Sequence, residues 1–157
     1  MVRYRVGFYT GMLCLCSIAA SCAGAAVTVD GNAVTLSHSV LKGTYLPGNT
    51  LDIALHVDFN PADGLSALAI TETLPAGWTF MQIVDSPEQP SVLNTGLGLI
   101  FNYVITPLTS FSTVYRVQVP ADATGPQQLR ASGIYRLLAG QMSTPDVTDT
   151  ILEANFA

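Results

Sequence analysis

The chain has 157 residues, 49% of them apolar and 11% charged, with six Lys and Arg against eleven Asp and Glu for a net charge of −5. That length supports one hydrophobic core, and the acidic balance argues against nucleic acid or anionic lipid as a partner. All three cysteines (Cys14, Cys16 and Cys22) lie in the first 26 residues, so the remainder holds no disulfide, thiol nucleophile or cysteine-ligated metal.

Residues 1–26 read as a secretory signal peptide: Arg3 and Arg5 precede an apolar run from Val6 to Ala20, and small residues follow. Gly7, Thr10, Gly11 and Ser17 interrupt that run, and it falls short of the roughly 20 apolar residues a spanning helix needs. Ala23-Gly24-Ala25 fits cleavage after Ala25, with Ala26 as the neighbouring choice, while Cys22 is a possible lipidation site. The expected product is a domain over residues 27–157, secreted or held at the cell envelope. It carries four cations, Lys42, Arg116, Arg130 and Arg136, against eleven carboxylates, a net of −7.

From residue 27 onward the hydrophobic period is two, which predicts an all-β fold. The clearest strand is TLDIALHVDF, where Leu51, Ile53, Leu55, Val57 and Phe59 alternate with polar positions, giving one core face and one wet face. LGLIFNYVI puts Leu97, Leu99, Phe101, Tyr103 and Ile105 on one face, and FSTVYRVQV turns Tyr115, Val117 and Val119 inward with Arg116 and Gln118 outward. AVTLSHSVL, SALAITETL, WTFMQIV, LRASGIYRLL and VTDTILEA complete about eight strands, separated by turn signals such as Leu46-Pro47-Gly48-Asn49 and Pro75-Ala76-Gly77. That number and spacing suit a two-sheet antiparallel sandwich.

The polar inventory offers little for catalysis. No G-x-S-x-G elbow occurs. His56 falls on the wet face of its strand, whereas His38 shares the parity of Val34, Leu36 and Val40, and Glu72 that of Leu68, Ile70 and Leu74. The two can be drawn as a buried acid–base pair, but a bulge that resets the parity, or a strand end reaching solvent, accounts for the same pattern and is the expectation taken forward. DFNPADG offers Asp58, Asn60 and Asp63 before Gly64, yet Ala69 stands where a calcium loop needs its bidentate Glu. An Asx-type turn explains these residues, and neither a metal nor a cofactor is expected.

Trp78, the only Trp, follows the Pro75-Ala76-Gly77 turn, in which Pro75 fixes its φ and Gly77 can take a positive one. The expected role is an anchor for the core; Trp78 with Phe80, on the same parity, is the alternative candidate for stacking on a sugar. The nearly charge-free LNTGLGLIFNYVI is the candidate interaction edge, with Ile100 and Val104 on the face opposite the core.

Three segments together, YLPGNTLDIALHV, ALAITETLPAGWTF and VYRVQVPADATGPQQLRASGIY, resemble the Ig-like repeat domains of prokaryotic surface and secreted proteins. The matches are Pro47-Gly48 with Thr50, Thr71-Glu72-Thr73-Leu74-Pro75-Ala76-Gly77, and Val119-Pro120-Ala121-Asp122-Ala123-Thr124-Gly125. The resemblance implies an Ig-like β-sandwich serving as a stalk, spacer or adhesive module, and implies no activity. Since one copy is present, a spacer role alone does not follow. The expected function is non-catalytic, in protein binding, adhesion or extracellular structure; the first alternative is a polysaccharide-binding module using Trp78 and the second an envelope enzyme using His38 or Glu72.

Overall fold

A computed structural model describes residues 33–95, 98–104 and 109–154. The expected leader, its cleavage point and Cys22 lie outside them. Two sheets pack face to face. The smaller has the order β1-β3-β8-β5, built from Val34–Val40, Thr50–Phe59, Phe111–Gln118 and Thr79–Asp85. The larger runs β2-β11-β9-β4-β7-β6, built from Thr44–Tyr45, Val147–Glu153, Gln127–Leu137, Ala67–Thr73, Leu99–Val104 and Ser91–Asn94. β10 (Gly140–Ser143) also pairs with β9. The described residues contain no α-helix, only one 3-10 turn at Pro61–Asp63.

Period-two alternation does the folding, as in β3, where Leu51, Ile53, Leu55 and Val57 point into the core between β1 and β8. Facing them from the larger sheet are Leu68 and Ile70 of β4, Phe101 and Tyr103 of β7, and Leu129 and Tyr135 of β9. Tyr45, Phe101, Tyr115 and Tyr135 fill the middle, so aromatic volume occupies the space between the sheets.

The described residues form eleven strands where about eight were expected. The additional ones are short: β2 is two residues, and β6 and β10 are four each. β10 and β11 run along the same side of β9 and are separated where Thr144 binds both backbone groups of Gly133, Thr144 N to Gly133 O and Gly133 N to Thr144 Oγ1, each at 2.8 Å. Another correction concerns the expected open edge. β7 is hydrogen-bonded to β4 on one side and to β6 on the other, so the edge on that side of the larger sheet is β6.

The DFNPADG stretch forms the Asx-type turn: Asn60 Oδ1 accepts from Ala62 N at 3.1 Å, and Gly64 closes the 3-10 turn in the left-handed region. At the other end, the LPAG corner brings Gly77 to φ +79°, with a Cβ there only 3.1 Å from Pro120 Cγ.

Candidate functional site

Three groups of polar or exposed side chains emerge from this frame. The first lies inside it. β4 keeps an unbroken register with both β7 and β9, so no bulge resets its parity and Glu72 points into the core with 0% exposure. The acid–base pairing set aside on sequence grounds is therefore present. His38, on edge strand β1 of the opposite sheet, approaches Glu72 Oε2 with Nε2 at 2.9 Å and Asp149 Oδ2 with Nδ1 at 2.6 Å. The imidazole is 1% exposed and the Asp149 side chain 42%, so the row runs from solvent to core.

The electrostatics follow from that burial. Desolvation opposes charge on His38, but hydrogen bonding and charge attraction from Glu72 and then Asp149 outweigh it, and its pKa rises above 6.5. Burial likewise pushes the Glu72 carboxyl up, against the lowering effect of its hydrogen bond to His38. The fully buried Tyr115 hydroxyl is held well above its ordinary range by desolvation and by the Glu72 charge. Neither it nor Glu72 Oε1 has a well-formed hydrogen bond. Asp149 escaped sequence reasoning because it is 111 residues from His38; its inward parity with Val147 and Ile151 was the available signal.

The second group covers the outer face of the smaller sheet. His56 is hydrogen-bonded to Ser39 Oγ at 2.7 Å and Ser112 Oγ at 2.6 Å, and Arg116 holds Asp52 through two bonds of 2.6 and 2.7 Å. These polar groups are internally paired, while β5 at the edge of the same sheet exposes Met81 and Val84.

The third is the outer face of the larger sheet. Ala67 and Ala69 of β4 form the floor of a shallow groove of about 330 Å³, walled by Asn102 and Val104 of β7 and by Ile134 and Arg136 of β9. Val104 is 92% exposed, and Ile100 pairs across β6 with the exposed Leu93. The outward positions of all strands in this sheet include Arg130 and Arg136 but no Asp or Glu.

Trp78 is 6% exposed and packs edge-on against Tyr45 at 5.4 Å, as expected of a core anchor. Phe80 contacts Phe101 and Tyr115 at 6.3 and 6.5 Å. Both line a cavity of about 230 Å³ at the LPAG corner, but their rings engage core aromatics.

No protein-family model matches the chain, and no curated protein sequence matches it. Solved structures do. A cohesin–dockerin complex of Clostridium thermocellum, Coh-OlpA-Doc918, aligns with a TM-score of 0.59 at 10% identity, over 76% of this chain and 99% of that one. ACE19, the collagen-binding subdomain of the Enterococcus faecalis surface protein ACE, gives 0.57 at 12%, over 75% and 96%. The major pilin SpaD of Corynebacterium diphtheriae gives 0.56 at 12%, over 73% of this chain and 34% of the pilin, so the match spans about a third of the pilin's length. At such identities the likeness establishes the fold, an Ig-like β-sandwich.

Proposed function

We propose that the domain is a non-catalytic, secreted or cell-surface module that binds a protein partner through the outer face of its larger sheet. The observation that carries this reading is the character of that face. In a chain dominated by acids it displays no carboxylate, keeps Arg130 and Arg136, and exposes Val104 and Ile134 around a floor of alanines, with Leu93 and Ile100 further along the same face. Contiguous exposed apolar surface rimmed by polar groups marks interaction sites. The structural likenesses support the reading, since they include a pilin, a collagen-binding domain and a cohesin. Catalysis is disfavoured because Glu72 and the His38 ring are enclosed, and no substrate atom reaches them in this packing.

Chemical cross-linking on intact cells, followed by recapture with the purified domain, tests it. Ile100→Lys and Val104→Lys are expected to abolish partner capture with an unchanged circular dichroism spectrum, whereas His56→Lys on the opposite face retains it. Capture that survives both lysines refutes this surface. A shift of Trp78 emission on titration with polysaccharide would move the site to the LPAG corner.

A further inference from the structure

We propose that His38, held between Glu72 and Asp149, is a proton-operated clasp that fixes edge strand β1 to the opposite sheet and releases it at alkaline pH. This goes beyond the partner-binding reading and does not depend on it. β1 is paired on one side only, by β3, and His38 hydrogen-bonds to two strands of the facing sheet, β4 and β11.

Two carboxylate oxygens lie on the two ring nitrogens, and only the doubly protonated ring donates to both. A neutral ring carries one N–H, so with both carboxyl groups ionised one of the two contacts becomes a lone pair facing a lone pair. Burial decides which. Glu72 cannot be hydrated where it sits and retains the N–H; Asp149 is open to water and turns away. Loss of the proton therefore removes the hydrogen bond that ties β1 to Asp149 of β11 and leaves Glu72 as a buried anion beside a neutral ring. The groups acting on the pair are Glu72 from β4, Asp149 from β11 and the Tyr115 hydroxyl from β8; no Lys or Arg is among them. His38 is thus the cation on which the arrangement depends. Release of β1 bares the edge of β3, the ten-residue strand at the middle of the smaller sheet.

Hydrogen exchange on the intact protein tests the clasp, with rates corrected for the intrinsic effect of pH. Between about pH 6, below the ordinary histidine value, and about pH 9, well above it, protection of the amides of residues 34–40 is expected to fall at least ~10-fold relative to β8 and β9. The His38 ring proton, assigned with a His56→Gln variant, should titrate above 6.5. In Glu72→Gln the neutral amide still accepts a bond but carries no charge, so the dependence of β1 on pH should flatten. A His38 that titrates at or below 6.5, or β1 protection that changes in step with β8 and β9, overturns the proposal without the variant.

Discussion

Glu72 shows how a residue's cost is set by what faces it. A carboxylate with no exposure is tolerated because His38 supplies a charge-assisted bond at 2.9 Å, so removing His38 uncovers a buried charge without a partner. His38→Ala is expected to destabilise the domain by about 3–5 kcal/mol, the range for breaking a buried ion pair. Glu72→Gln, which deletes the charge but retains an acceptor, should cost less; urea midpoints on the two variants measure the difference. Gly98 is a second position governed by a close approach: a Cβ there would lie 2.7 Å from the Glu72 carbonyl oxygen. Gly98→Ala must displace the start of β7 and is expected to cost about 1–3 kcal/mol, as overpacking does, with a lowered midpoint and an unchanged urea slope.

At the scale of strands, the sheet edges are protected in different ways. β2 is too short to template another strand, β5 carries irregularities between Phe80 and Gln82 and between Ile83 and Asp85, β1 is tied to the opposite sheet, and β6 is a four-residue strand beginning just after Pro90. β6 alone covers the outer edge of β7, and Val92 docks it through contact with the core. Val92→Asp should undock β6 and expose β7, giving light scattering that grows with protein concentration while β3, β8 and β9 remain protected from exchange. The long strands were legible because their alternation is long: TLDIALHVDF matches β3 residue for residue, and β8 begins at the expected Phe111. β6 and β10 were not, since four residues hold only two inward positions, too few to distinguish a period of two from chance. The candidate site was half legible. Parity placed His38 and Glu72 inward, but a bulge explained that equally well until the regular β4 ladder removed it, and Asp149 belongs to a strand whose pairing no local signal fixes.

For the whole molecule, the same cluster sets the direction in which stability depends on pH. A group whose pKa is raised on folding contributes stability that is full below its unfolded value and is lost as pH climbs through the folded one. His38 therefore begins to lose its contribution above 6.5, and Glu72, raised by burial, opposes folding increasingly from 4.5 upward. Asp52 acts in the opposite sense: its hydrogen bonds to Arg116 lower its pKa below 3.8, so its contribution is lost only as pH falls through that lowered value. Maximum stability should then lie on the mildly acid side of neutrality, and the urea midpoint near pH 5.5 should exceed that near pH 8.5, conditions chosen about one unit below and two above the unperturbed histidine value. The slope should shrink in His38→Gln, where no proton is exchanged at the imidazole position. A midpoint that rises between those conditions would place the dominant titration outside the cluster, because both raised groups drive the curve downward. Reductant should leave the curve unchanged, since no cysteine follows Cys22.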